Sequence, residues 1–135
     1  KKEKSYMKPE EDSNEWLNKA REDFAFASSI LPDTLFYAQV CFHFQQAAEK
    51  FLKSYIIAKG LEFKKIHELR KLLKICETAT PLFSNFREEA DFLSPFYIDT
   101  RYPVHWPAVV TKDEALKALD AALKIKDLVE RLFKA

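Results

Sequence analysis

A single glycine, Gly60, stands among 135 residues that include twelve phenylalanines. Glycine supplies the positive φ that many tight turns need, so a chain this poor in it lacks Gly-rich turns and is suited to long helices with aromatic packing. The apolar residues agree, because they recur at steps of three and four, the spacing of one helix face. No stretch alternates convincingly as a strand would, and there is no internal repeat or low-complexity segment. The expected fold is all-α, an antiparallel up-and-down helical bundle of four to five helices.

Residues 1–12 are charged and carry Pro9, and read as a flexible N-terminal arm ahead of one domain over 13–135. Asp12 or Ser13 offers a cap for a first helix whose face is Leu17, Ala20, Phe24, Ala27 and Leu31, and which Pro32 ends. A second helix is expected from about Thr34 to Lys59, with Tyr37, Val40, Cys41, Phe44, Ala48, Phe51 and Tyr55 toward the core and Gly60 closing it. A shorter third helix carries Ile66, Leu69, Leu73 and Cys76. Thr80-Pro81, a cap followed by proline, opens a fourth through Phe83, Phe86, Ala90, Leu93 and Tyr97. A long connection with two prolines follows, and Thr111 with Glu114 then matches a capping box that starts a fifth helix near Lys112, running to Phe133. The exposed stripe of that helix, from Asp113 and Lys117 to Arg131 and Lys134, alternates in sign as a solvated face does.

Hydrophobic residues make up 47% and charged residues 32%, and the net charge of +1 argues against a protein coated in positive charge for wholesale nucleic-acid binding. No apolar run approaches the roughly 20 residues of a membrane span, so no membrane association is expected. Cys41 and Cys76 sit at apolar helical positions and read as reduced core thiols, and Lys1-Lys2-Glu3-Lys4 has no apolar stretch behind it to make a signal peptide. The expected location is cytoplasmic.

Three features bear on chemistry. Gln39, His43, Gln46, Lys50 and Lys53 form one stripe along the second helix, mixing hydrogen-bonding and cationic groups where a solvated face would carry Glu and Lys pairs. Two readings stand, a ligand site and a dimer or helix-packing surface. In the long connection, Arg101 could clamp a phosphate and His105 move a proton, which together would suit RNA cleavage; the alternative is that Arg101 ties the loop down and His105 packs. The segment holding Lys59, Lys64, Lys65, Arg70, Lys71 and Lys74 against Glu62 and Glu68, with His67 as a further donor, is the most cationic in the chain. It could draw a phosphate or an acidic partner, provided its cations converge in space, or it is a solvated face. His43, His67 and His105 are far apart in sequence and no metal-ligand spacing exists, so no metal or other cofactor is expected.

The order of Trp16-Leu17-x-x-Ala20-x-x-Asp23, Cys41-Phe42-His43-x-Gln45-Gln46-Ala47-Ala48-Glu49-Lys50-x-Leu52-Lys53, Gly60, His67-Glu68-Leu69 and Arg101-Tyr102-Pro103 resembles HEPN-domain proteins, over roughly Ser13 to Phe133. The resemblance implies a bundle of four or five helices, a homodimer and a prokaryotic setting. It also implies a toxin and antitoxin module shared with a minimal nucleotidyltransferase, in which the HEPN member is a ribonuclease or a nucleotide-binding partner. The helical domain of aminoglycoside nucleotidyltransferases is similar to this bundle as well. The nuclease motif of the family is an Arg followed after four to six residues by His. Arg101 and His105 have only three residues between them, include Pro103 and precede the Thr111 cap, so this pair departs from the pattern. The expected binding set is His43, Gln46 and Lys50 with Tyr102, Lys64 and Lys65, for a nucleotide or RNA phosphate.

Overall fold

A computed structural model describes residues 12–62, 65–97 and 109–134. Five α-helices appear in the order α1 (Ser13–Ile30), α2 (Tyr37–Ala58), α3 (Leu69–Glu77), α4 (Arg87–Leu93) and α5 (Lys112–Lys134), with no strand among the described residues. The all-α bundle expected from the apolar spacing is the fold observed.

Local chemistry sets most of the boundaries. Asp12 caps α1, its carboxylate accepting from the amides of Asn14 and Glu15. A 3₁₀ turn, Leu31–Asp33, replaces the helix at Pro32. The second helix begins at Tyr37 rather than Thr34, because the Thr34 hydroxyl takes the amide of Phe36 and holds the preceding residues in a turn. At the other end Gly60 adopts φ +68° while Leu61 donates to the Ile56 carbonyl and Gly60 to that of Ile57. This is the Schellman arrangement, and it needs a left-handed residue at the position the glycine occupies. The capping box is present, with the Thr111 amide bonded to Glu114 at 2.9 Å and the Glu114 amide to the Thr111 hydroxyl at 3.1 Å.

The third and fourth helices differ from expectation. Ile66 precedes α3, which starts at Leu69. The stretch from Pro81 to Tyr97 is not one helix but a 3₁₀ turn (Pro81–Phe86), α4 and a second 3₁₀ turn (Ser94–Tyr97). Pro95 lacks the amide that would continue α4, and the Ser94 hydroxyl donates instead to the Ala90 carbonyl at 2.7 Å. Thr80 makes no side-chain cap; its hydroxyl pairs with the Tyr55 hydroxyl across the core.

α2 lies at the centre, flanked by α1, α3 and α5. It buries Phe44, Phe51, Leu52, Tyr55 and Ile56, each worth about 1.5–3 kcal/mol when removed from water. Its Ala47 and Ala48, with Ala115, Ala118 and Ala122 of α5, are fully buried small side chains that permit close helix approach. α1 runs antiparallel to α2, with Trp16 near Lys53 and Phe26 near His43. α4 runs antiparallel to both α3 and α5, through Arg70–Asp91, Arg87–Glu77 and Lys124–Glu89. No described helix is long and apolar enough to cross a membrane.

Candidate functional site

The α1–α2 seam carries a polar cluster inside an otherwise apolar contact. His43 and Lys50, seven positions apart and hence about 10 Å along α2, both turn to Asp23 of α1. His43 Nδ1 lies 3.2 Å from one carboxylate oxygen, and Lys50 Nζ donates to the other at 2.6 Å. Burial pushes the Asp23 carboxyl up, but the hydrogen bonds from His43 and Lys50 outweigh it and hold the group below its ordinary value. A carboxylate only accepts, so Nδ1 carries the proton in this pair and Nε2 is left for an outside partner. The rings of Phe26 and Phe42 meet His43 edge-on at 4.9 and 5.4 Å and fix its plane. His43 is 32% and Lys50 23% exposed, so both reach the surface. Gln46 lies between them along α2, with its amide donating to Gln45 at 2.8 Å.

A second cluster runs through the interior. Glu49 accepts from Lys53 at 2.8 Å and from Gln45 at 3.4 Å, and His67 Nδ1 stands 2.9 Å from the oxygen that Lys53 uses. Both Glu49 and Lys53 side chains are 4% exposed. The Lys53 ammonium also lies over the Trp16 ring, 5.2 Å from its centroid. His67 stacks on Tyr97 at 4.7 Å, so the last described residue before position 98 is tied to the interior charge.

The expected stripe is thereby corrected. His43, Gln46 and Lys50 do share a half-exposed face, but Lys53 is buried, because it rotates with Gln45 and Glu49 into the row that α1 and the residues ahead of α3 cover. Sequence reasoning gave Gln45, Glu49 and Asp23 no role. The step-four row Gln45, Glu49, Lys53 was the available signal, since a donor, an acid and a base one turn apart form a self-satisfying set.

Arg101, Tyr102, His105 and Lys64 lie outside the described residues. Lys65 is exposed, and no hydrogen bond or ion pair joins it to His43, Gln46 or Lys50. Among the described residues no three His, Cys, Asp or Glu side chains converge as a metal site would require. Cys41 and Cys76 are free thiols, both buried.

The HEPN-domain profile matches residues 13–132, nearly the whole of the described bundle. The chain belongs to the HEPN family. Two solved structures share the HEPN fold of this chain. TT1696 from Thermus thermophilus is 35% identical with a TM-score of 0.78, covering 88% of this chain and 96% of its own. ST0689, described as an archaeal HEPN homologue, is 27% identical with a TM-score of 0.72, covering 93% and 98%. No curated protein matches this HEPN chain.

Proposed function

We propose that this HEPN protein binds the phosphate of a nucleotide or RNA and works beside a minimal nucleotidyltransferase in a toxin and antitoxin module, as a cytoplasmic homodimer in a prokaryotic cell. The observation that carries the binding half is the convergence of His43 and Lys50 on Asp23 at a half-exposed seam. Lys50 has three N–H donors and spends one on Asp23, so it can donate to a phosphate without releasing the carboxylate that positions it, while His43 Nε2, an acceptor when Nδ1 carries the proton, can take a hydrogen bond from a ligand hydroxyl. Gln46 between them adds an amide oxygen that can accept from a sugar hydroxyl. Family membership supports the partnership with a nucleotidyltransferase.

Titration with ATP, GTP and a short RNA, followed by amide shifts, tests the reading. Shifts centred on His43, Gln46 and Lys50, weakened by Lys50→Ala, are the expected result. An α1–α2 seam silent to all three ligands refutes it. The open reading frame beside the gene tests the module, which requires a short nucleotidyltransferase there. A metal-independent ribonuclease is the second reading, favoured by the presence of Arg101 and His105 in one segment. It requires RNA cleavage in chelator that Arg101→Ala or His105→Ala removes.

A further inference from the structure

Three cations of the basic run, Arg70, Lys71 and Lys74, line a cavity that the α1–α2 seam does not use. On α3, positions 70, 71, 74 and 77 fall on one face, while Leu69, Leu72, Leu73 and Cys76 are buried on the other. The cationic face therefore turns outward along its full length. α4, running antiparallel, brings Arg87 to the same place. The result is a cavity of about 350 Å³ lined by Arg70, Lys71, Lys74, Glu77 and Arg87, four cations and one carboxylate.

The charges are not equally committed. Arg87 holds Glu77 with two donors, at 2.9 and 3.4 Å, so the single carboxylate of the lining is already neutralised. Arg70 donates to both oxygens of Asp91 at 2.9 Å, an ion pair whose members are about half exposed. Such a pair is worth little and exchanges readily for a better anion. Lys71 meets only Glu68, at 3.0 Å with both side chains 67% exposed, and Lys74 makes no hydrogen bond or ion pair among the described residues. Next to this cavity, and sharing Lys71 and Lys74 with it, is an open apolar one of about 420 Å³ lined by Ile66, Ile75 and Thr78.

We propose that the α3–α4 face is a second phosphate-binding site, in which Lys71, Lys74 and Arg70 hold the phosphate of a nucleotide or of an RNA strand and the Ile66–Ile75 groove takes the attached base. Two lysines flanking both cavities place a compact anion beside an apolar surface, the order in which a nucleotide presents its phosphate and base. The inference is independent of the seam around His43, with which it shares no residue.

The test is a titration of the full chain with inorganic phosphate, ATP and single-stranded RNA oligomers of increasing length, read by amide shifts and the Ile66 and Ile75 methyl signals. Expected are shifts at Arg70, Lys71, Lys74 and Ile75 that a Lys71→Ala/Lys74→Ala double variant weakens by roughly tenfold or more, as loss of charged hydrogen bonds requires. Both lysines are exposed, so the variant keeps the fold, checked by its circular dichroism. For an RNA strand, the slope of log affinity against log salt should fall by about 1.4 in that variant, since each lost phosphate contact removes about 0.7. ATP binding as tightly as RNA assigns the site to a nucleotide, and affinity rising with oligomer length assigns it to a strand. Absence of shifts on α3 with all three probes overturns the proposal, as does binding there that the double variant leaves unchanged. Shifts confined to His43 and Lys50 overturn it while leaving the seam reading intact.

Discussion

Replacing Glu49 with alanine is expected to cost about 3–5 kcal/mol, the penalty for removing one partner of a buried charge pair. The size follows from the surroundings. Glu49 is 4% exposed and is the common partner of Lys53, His67 and Gln45, and Lys53 is as deeply buried as the carboxylate. Alanine takes the carboxylate away from an ammonium that stays over the Trp16 ring in a nearly water-free site. A domain of this size has a total stability of about 5–15 kcal/mol, so the variant loses roughly a fifth of it or more. His67→Ala should cost far less, about 1 kcal/mol or under, because His67 is half exposed and water replaces the lost contact. The paired change Glu49→Leu/Lys53→Met should cost less than Glu49→Ala alone, since apolar groups of similar volume often replace a buried ion pair with little loss. Urea unfolding followed by circular dichroism, extrapolated to water, measures all three. A Glu49→Ala cost under about 1 kcal/mol, or a double variant as unstable as the single, refutes the reasoning.

The Asp23 carboxyl is held below its ordinary value, so it contributes stability above about pH 4 that is lost as pH falls through its lower folded value. The stability gap between wild type and Asp23→Asn should therefore be wide at pH 7 and narrow at pH 3 in urea titrations, and an equal gap at both would count against the seam as described. Burial pushes the Cys41 thiol up to about 12 and raises that of Cys76 as well. Neither should react with iodoacetamide at pH 8 in the folded protein, and both should label in urea, as mass spectrometry would show. Gly60→Ala meets no atom within 4 Å but must adopt φ +68°, so it should lower stability by about 1 kcal/mol with Gly60→Asn costing less, measured by thermal unfolding.

Helix by helix, legibility tracked how local the cause was. The Asp12 cap, the Gly60 terminus and the Thr111–Glu114 box are decided by residues within a few positions of one another, and each was readable from the order of residues. The break of the fourth helix was signalled by Pro95, but the apolar steps on either side of it still matched a helix, and periodicity alone does not register a missing amide. Thr80 looked like a cap because caps are local; its hydroxyl went instead to Tyr55, a partner 25 positions away. The site followed the same rule. The half-exposed face of His43, Gln46 and Lys50 was legible from helical spacing. Asp23 as its anchor was not, since only the pairing of α1 with α2 brings it there. The cationic cavity needed Arg87 from α4 to close it, which no reading of the basic run alone could supply.

Asp23 also acts as an index pin between two helices. Alanines and large apolar groups recur every turn along α1 and α2, so sliding one helix by a turn, about 5.4 Å, still presents oily surface to oily surface. The carboxylate breaks that degeneracy. It stands between two donors two turns apart, and a one-turn slip carries it level with one and out of reach of the other, which forfeits one of its two charged hydrogen bonds. The apolar contacts thus supply adhesion without alignment. A single acidic side chain selects one alignment from among several of nearly equal grip, the one in which His43 and Lys50 share it.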